Sequence, residues 1–122
     1  MENILLRSMA DESYYDLVFY VTQQIPKGRV TNYGAIADYL SLGSARMVGW
    51  ALTQSNRSSN GNVPAHRVVN RKGELSGRMN FSTPTLMQEL LESEGVVVEH
   101  DKVRDFDKLF WHPEALDDDK KD

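Results

Sequence analysis

Residues 31–53 read TNYGAIADYLSLGSARMVGWALT, and the fold prediction starts from the pattern of these residues. Thr31 and Asn32 have the short polar side chains that cap helix N-termini. The helix predicted after them has an apolar face that includes Ile36, Ala37 and Leu40. The segment Ser41-Leu42-Gly43 ends this helix, because serine and glycine favour turns over helix interiors.

A second helix is predicted directly after this turn. Ser44 can cap it, and it covers about Ala45–Thr53, with small residues at Ala45, Gly49 and Ala51. Two short helices joined by a tight glycine-containing turn are typical of a helix-turn-helix. The small residues would let the second helix lie close to another surface, which could be a core helix or a DNA groove.

One helix is predicted before residues 31–53, and a β-hairpin is predicted after them. The helix covers Ser13 to Gln24, and its inward positions follow i, i+3, i+4, i+7 spacing at Tyr14, Leu17, Val18 and Val21. A polar loop follows at residues 55–62. The hairpin, or wing, consists of a strand at Arg67–Val69, a turn at Lys72-Gly73 and a return strand at Glu74–Ser76.

In the C-terminal part of the chain, the sequence pattern predicts a fourth helix and, later in the sequence, an apolar segment. Thr83-Pro84 starts the helix, with proline in the first turn, and Gly95 ends it before a strand at Val96–Val98. The inward residues of this region are Leu86, Leu90 and Leu91 on the helix, and Phe106, Leu109, Phe110 and Trp111 in a C-terminal anchor. The fold class is therefore mostly α with a small β-hairpin. We expect a winged helix-turn-helix in one domain over residues 1–113, and a charged flexible tail over residues 114–122.

The composition excludes several kinds of site. The chain has 122 residues and no cysteine, which excludes disulfides, thiolate catalysis and cysteine metal ligands. His66, His100 and His112 lack ligand-like spacing, so we expect no metal and no cofactor. No apolar run approaches the roughly 18 residues of a membrane span, and no leader peptide is recognisable. We expect a cytoplasmic protein.

The net charge of −4 is unevenly distributed. Residues 26–80 hold eight basic and two acidic residues, a balance of +6 that leaves −10 for the rest of the chain. The basic residues are Lys27, Arg29, Arg46, Arg57, Arg67, Arg71, Lys72 and Arg78. Because salt screens charges beyond about 8–10 Å, such a segment can neutralise phosphates even in an acidic protein. A basic face that contacts only solvent is the alternative.

Four motifs resemble, in the same order, those of the O6-alkylguanine-DNA alkyltransferases. Pro64-Ala65-His66-Arg67-Val68 is similar to the Pro-Cys-His-Arg-Val active-site motif of that family. The other three are residues 28–34, similar to the Gly-x-Val-x-x-Tyr-Gly segment, residues 45–52, similar to the recognition helix, and residues 90–96, similar to the closing helix. The resemblance covers about residues 16–98 and implies a DNA-binding domain of the alkyltransferase type.

Alanine stands at the cysteine position of the active-site motif. Removal of an O6-alkyl group needs a nucleophile, and a thiolate serves well because sulfur is nucleophilic and its pKa is easily lowered. Ala65 offers only a methyl group. The sequence therefore resembles the alkyltransferase-like proteins, which bind alkylated guanine without reversing it. The resemblance implies a non-enzyme that binds double-stranded DNA containing O6-alkylguanine, associates with the nucleoid when bound, and passes the lesion to nucleotide excision repair proteins.

The resemblance also implies roles for the residues that face DNA. Tyr33 rotates the damaged nucleotide out of the duplex, at a cost of a few kcal/mol. Arg46 fills the vacated space, and the recognition helix lies in the minor groove, where readout is nearly independent of sequence. Trp50 stands where we expect a small residue, and Asn56 and Arg57 are possible phosphate contacts. The expected DNA-binding residues are Thr31, Asn32, Tyr33, Ala45, Arg46 and Gly49.

A lesion pocket is implied beside the recognition helix. Ala65 is expected to leave it roomier than a cysteine would, so that bulkier alkyl groups fit. The guanidinium of Arg78 is expected to lie against the flipped guanine. His66 and Glu94 match the pair that deprotonates the cysteine in the enzymes, and we interpret them here as a vestigial, structural pair. The expected pocket residues are Tyr33, Pro64, Ala65, Val68, Ser76 and Arg78.

Two other hypotheses stay open. A true alkyltransferase with its cysteine changed to alanine would share these motifs, although such enzymes often carry an additional N-terminal domain. The C-terminal Trp111-His112-Pro113 looks more like the alkyltransferase-like proteins. A winged-helix transcription factor would read a specific major-groove site and usually dimerise. The sequence has no coiled-coil or other dimerisation signal, so we expect a monomer.

Overall fold

The computed structural model describes residues 13–55 and 62–118. The predicted polar loop therefore lies mostly outside the described residues, and so do Asn56 and Arg57. The helices are α1 (Ser13–Gln23), α2 (Tyr33–Tyr39), α3 (Ala45–Thr53), α4 (Leu86–Ser93), α5 (Phe106–Leu109) and α6 (Ala115–Asp118). The strands are β1 (Thr31–Asn32), β2 (Val68–Val69), β3 (Val98–Glu99) and β4 (Lys102–Val103). None of these helices is long and apolar enough to cross a membrane.

Helix α1 forms as predicted, but its inward face is rotated. Leu17, predicted to face inward, is 53% exposed, and Phe19 is buried instead. The buried face is centred on Val18 and Thr22, whose hydroxyl donates to the Val18 carbonyl at 2.7 Å. Because consecutive residues of a helix lie about 100° apart, Leu17 falls beside this face rather than on it.

Helices α2 and α3 form the predicted helix-turn-helix. The Asn32 side-chain oxygen accepts a hydrogen bond from the Ala35 amide at 2.7 Å and caps α2. Ser44 precedes α3, but its side chain makes no capping hydrogen bond, which corrects the role predicted for it. The Tyr14 hydroxyl donates to the Met47 carbonyl at 3.1 Å and so fixes α3 against α1.

Strand β2 pairs with β1 and not with a return strand. The two strands are parallel, with Thr31 opposite Val68 and Asn32 opposite Val69. The predicted wing at residues 67–76 is therefore wrong. Val68 and Val69 are both fully buried, and a strand buried on both faces pairs inside the fold rather than in an exposed hairpin.

A small β-hairpin does form further along the chain. Strands β3 and β4 pair antiparallel, with Val98 opposite Val103. His100 and Asp101 join them, and both have positive φ, 53° and 61°. Two such residues match the twist of the flanking strands in a two-residue turn. The hairpin of the predicted fold class is thus present, about 30 residues later in the chain than the predicted wing.

Helix α4 begins two residues later than predicted. Pro84 precedes the helix, which starts at Leu86 after Thr85. Gly95 ends the helical turn as predicted, with a φ of 91°, and the Val96 amide returns to the Leu91 carbonyl at 3.0 Å. Glycine adopts this left-handed conformation without the steric penalty that a side chain brings.

Two hydrophobic cores meet at β2. Val68 belongs to the core formed with α1, α2 and α3, and Val69 belongs to the core formed with α4 and the hairpin. The predicted C-terminal anchor is confirmed, since Trp111 packs in the first core and Phe106 and Leu109 pack against the second. Strand β2 and the anchor therefore hold the helix-turn-helix to the rest of the molecule.

The segment after the anchor is partly helical. Residues 114–122 were predicted to be a charged flexible tail, but Ala115–Asp118 form α6. Tyr39 donates a hydrogen bond to the Asp117 carboxylate at 2.9 Å, and Leu116 packs against the first core. These contacts attach α6 to the helix-turn-helix, while residues 119–122 lie outside the described residues.

Candidate nucleic-acid interface

An open groove of about 440 Å³ lies alongside α3. It brings together four of the six predicted DNA-binding residues: Tyr33, Ala45, Arg46 and Gly49. The remaining lining residues are Trp50, Thr53, Ser76, Gly77 and Asn80. Of these, only Ser76 was a predicted site residue. Ala45, Gly49 and Thr53 are small enough for a ligand to approach the helix backbone closely.

Thr31 and Asn32, the other two predicted DNA contacts, are used by the fold itself. Thr31 is fully buried, which corrects its predicted role, because it has no surface to offer to DNA. Asn32 is half-buried, and its side-chain oxygen caps α2. Both residues lie on β1, immediately before Tyr33, and so help to position the tyrosine, while the DNA contact of Asn32 stays a prediction.

The Thr31 hydroxyl is buried without a hydrogen-bond partner among the described residues. An unsatisfied buried polar group costs roughly 1–3 kcal/mol. We therefore expect Thr31→Val, which keeps the side-chain shape, to raise the free energy of unfolding by about 1 kcal/mol, as measured by urea denaturation. The variant is expected to bind DNA as the wild type does. A loss of stability would show that the hydroxyl has a partner after all.

Tyr33 is the central side chain of the groove. Burial raises the pKa of its hydroxyl above 10.0, and a hydrogen bond with Ser76 lowers it by less. The hydroxyl is therefore neutral at physiological pH and able to donate a hydrogen bond. A Cβ at Gly77 would lie 2.6 Å from this oxygen, so the absence of a side chain at Gly77 is what lets the tyrosine lie there.

A small cavity beside Ala65 lies next to the groove. It has a volume of about 20 Å³, and its lining includes Tyr33, Gly49, Ala65 and Phe81. This is room for roughly one water molecule. That Ala65 leaves the lesion pocket roomier than a cysteine would stays a prediction, and Tyr33 and Phe81 line the space next to Ala65 in the protein without DNA. A flipped base could enter only after these side chains move.

The predicted pocket residues are only partly brought together. Tyr33 and Ala65 line the small cavity, and Ser76 lines the groove. Val68 is fully buried in β2, which removes it from any pocket wall. Arg78 and Pro64 line neither space; the Arg78 guanidinium donates to the Leu75 carbonyl at 3.2 Å and lies 3.8 Å from Asp101. The third side of the site, formed by Gly77, Asn80 and Phe81, was not predicted, although it adjoins the predicted pocket residues Ser76 and Arg78.

His66, Arg67 and Glu94 form a largely buried network behind Ala65. Glu94 accepts hydrogen bonds from His66 Nε2 at 2.8 Å and from Arg67 Nε and Nη2 at 3.0 and 2.6 Å. Arg67 also donates to the Ile25 carbonyl at 2.8 Å. Three segments distant in sequence are thereby joined, and the turn that carries Ala65 is fixed in place.

The protonation states within this network follow from burial and pairing. Burial raises the pKa of the Glu94 carboxyl, but hydrogen bonds from Arg67 and His66 outweigh it and lower that pKa to about 2. Burial lowers the pKa of His66, and Glu94 offsets this only in part. At neutral pH the carboxylate is ionised and the imidazole is neutral. Because a carboxylate only accepts, Nε2 of His66 must carry the proton that it donates to Glu94.

This network makes the free energy of unfolding depend on pH in the acidic range. The Glu94 pKa is lower in the folded state than its ordinary 4.5, and the His66 pKa is lower than its ordinary 6.5. In both cases the unfolded chain binds protons more readily, so stability rises with pH across these ranges. We expect the free energy of unfolding to decline below about pH 6.5 and to fall further, on the order of 2–3 kcal/mol, between pH 4.5 and 2. Urea titrations across this range measure it, and an unchanged acid slope in Glu94→Gln would contradict the assignment.

Within the part of the central segment that the structure describes, the basic residues do not form one face. Arg46 lines the groove, whereas Arg67 is held by Glu94, and Arg29 donates to the carbonyls of Leu109 and Phe110 at 2.9 and 2.5 Å. Arg71 and Lys72 line a separate depression beside the hairpin. The +6 balance of the segment therefore overstates the positive charge available at the groove.

Residues 13–96 match the family model for the DNA-binding domain of 6-O-methylguanine DNA methyltransferase. Alkyltransferase-like protein 1 of Schizosaccharomyces pombe is 35% identical over 74% of this chain and 82% of its own length. The chain belongs to the alkyltransferase-like family. The sequence-based assignment to the alkyltransferase-like proteins is thereby confirmed.

Other relatives match this chain over a similar share of its length, and the solved ones have a similar fold. The DNA base-flipping protein of Escherichia coli is 33% identical over 84% of this chain and 77% of its own length. The crystal structure of S. pombe Atl1 with damaged DNA containing O6-carboxymethylguanine has a TM-score of 0.70 and 31% identity, covering 83% of this chain and 96% of that one. A second alkyltransferase-like structure, of S. pombe ATL with DNA, has a TM-score of 0.69 and 30% identity. The alkyltransferase type of DNA-binding fold is confirmed.

Proposed function

We propose that this protein binds duplex DNA along α3, rotates an O6-alkylguanine out of the helix and holds it beside Ala65 without removing the alkyl group. The observation that carries the proposal is the groove in which Tyr33, Arg46 and Gly49 lie together, next to the cavity lined by Ala65. The solved complexes of the S. pombe relative with DNA and with damaged DNA support it.

Each groove residue has a distinct part in this proposal. Gly49 and Ala45 let the backbone of α3 approach the floor of a minor groove. The neutral Tyr33 hydroxyl donates to a phosphate oxygen and turns the nucleotide outward. The exposed Arg46 enters the space that the base leaves, where its guanidinium replaces part of the lost stacking and hydrogen bonding. A damaged base pairs poorly and flips at lower cost, which supplies part of the selectivity.

The side chain at the nucleophile position of the proposed lesion site cannot accept the alkyl group. The position of the nucleophile is Ala65, and the chain has no cysteine elsewhere. His66 and Glu94 keep a 2.8 Å contact, but they have no thiol to deprotonate. The protein is accordingly a binding protein and not an enzyme. It acts as a cytoplasmic protein that is nucleoid-associated when bound to DNA.

A lesion that is bound and not reversed needs a second protein to remove it. We assign that step to nucleotide excision repair, which excises damage without needing direct chemistry on the modified base. The transfer of the lesion to this pathway is tested by measuring the rate at which a reconstituted excision nuclease incises a duplex with one O6-alkylguanine. Faster incision in the presence of this protein supports it, and unchanged or slower incision contradicts it.

Lesion binding is tested by titrating the protein onto short duplexes that carry one O6-methylguanine or plain guanine, at two salt concentrations. Tighter binding to the lesion, with the modified base unchanged after digestion and chromatography, is expected. Equal affinity for the two duplexes contradicts lesion recognition. Loss of the methyl group from the DNA contradicts the absence of transfer.

The intact His66 and Glu94 pair favours a second candidate, a true alkyltransferase whose cysteine has been replaced. Ala65→Cys distinguishes the two. If the second candidate holds, the variant takes up one labelled methyl group per molecule rapidly. Under the main proposal the restored thiol reacts slowly or not at all, because the closed cavity beside it was not shaped for in-line attack.

A further inference from the structure

Trp50 is a large aromatic residue with no function in the site described so far. It lies on α3 one turn after Arg46, lines the same groove, and is 56% exposed. Two residues four apart on a helix share a face. The indole therefore faces the same ligand as Arg46.

A hydrogen bond to α1 orients the indole. Its Nε1 donates a 2.6 Å hydrogen bond to the Tyr15 hydroxyl on α1. Indole has a single N–H donor and no acceptor, so the polar group is already used within the protein. What Trp50 presents to the groove is its apolar face, and a ligand that matches it must offer an apolar edge.

We propose that Trp50 is a further DNA contact, whose indole packs on the deoxyribose edges of the strand beside the flipped nucleotide. This inference rests on the proposed binding of duplex DNA along α3. The sugars line the walls of a minor groove and offer C–H surface to a flat aromatic ring. Tyr15 braces the ring from α1, so the DNA-binding surface extends beyond the helix-turn-helix.

This contact has properties that differ from those of Arg46. Deoxyribose is the same in damaged and intact DNA, so Trp50 contributes to affinity for both and little to lesion preference. Packing on sugars releases no counterions, so its share of the affinity is insensitive to salt, in contrast to phosphate contacts. Trp50 thus holds the protein on DNA while lesions are sought.

Tryptophan fluorescence offers a direct measurement, because the chain has two tryptophans and Trp111 is buried in the core. We expect the emission of the wild type to change on titration with plain duplex, and the change to vanish in Trp50→Phe. Trp50→Ala is expected to lose roughly five- to tenfold in affinity for plain and lesion duplexes alike, with the salt slope unchanged. Trp50→Phe keeps most of the affinity, since it retains an aromatic face.

Tyr15→Phe is the matched control, because it removes the brace and leaves the indole. Thermal unfolding checks that each variant is folded. Wild-type affinity in a folded Trp50→Ala, or emission that does not respond to bound DNA, overturns the proposal. If the wild type binds both duplexes with equal affinity, the proposed lesion recognition is contradicted. The Trp50 contact is then still tested by the affinity of Trp50→Ala for plain duplex. If it binds neither, both proposals fail.

Discussion

Glu94→Ala is expected to lower the free energy of unfolding by about 3–5 kcal/mol. The substitution leaves the side chains of His66 and Arg67, each 11% exposed, without the carboxylate that both of them contact. Removing one partner of a buried pair costs more than the pair contributes, because the remaining charge cannot be hydrated. Urea denaturation measures the loss.

Glu92→Ala provides the matched control for this experiment. Glu92 lies in the last turn of α4, two residues before Glu94, and is exposed. Its carboxylate accepts a hydrogen bond from the Gln88 side chain at 3.0 Å and takes no part in the buried network. Its replacement should change stability by less than about 0.5 kcal/mol. Glu94→Gln, which keeps the shape and loses the charge, should fall between the two. Equal effects of Glu92→Ala and Glu94→Ala would contradict the structural role of the network.

Arg46→Ala is expected to reduce the affinity for an O6-methylguanine duplex at least about tenfold. The guanidinium is exposed, and no ion pair holds it among the described residues, so the folded state should lose little stability. What is lost is the group that occupies the space left by the flipped base. The preference for lesion over plain DNA should therefore shrink, which fluorescence anisotropy with the two duplexes measures.

Arg104→Ala is the matched control, because it removes the same charge from the far depression beside the hairpin. Its guanidinium is 57% exposed and lies 3.8 Å from Glu99. It should leave the lesion preference unchanged and alter affinity only slightly. If both arginine variants weaken binding equally, Arg46 contributes only general charge, and its proposed place inside the duplex is refuted.

The helix-turn-helix was predictable from sequence because its determinants are local. Apolar spacing along α2, the cap at Asn32 and the break around Gly43 all act within a few residues. The pairing of β2 was not predictable in this way. The pair Val68-Val69 signals a buried strand, but nothing near it specifies a partner 37 residues earlier in the chain.

In the site, too, residues that are close in sequence were predictable, and residues brought in from distant segments were not. Arg46 and Gly49 lie together because they are neighbours on one helix, and the motif order led to Tyr33. Gly77, Asn80 and Phe81, which complete the groove and the cavity, carry no pattern that reveals their position. The active-site motif predicted that Val68 lines the pocket. Its position in β2, which pairs with β1, directs its side chain into the hydrophobic core instead.

The parallel pairing of β1 with β2 has a consequence for how the protein is made. Ribosomes release a chain in order, at about 5–20 residues per second, so the recognition helix emerges before residues 68–69 exist. Until then β1 has no partner strand, and the turn that carries Ala65, which lines the cavity together with Tyr33, is not yet in place. Unfinished or truncated chains should therefore be unable to occupy damaged DNA. We therefore expect that only completed molecules compete for lesions and that abortive fragments do not mask sites that need repair.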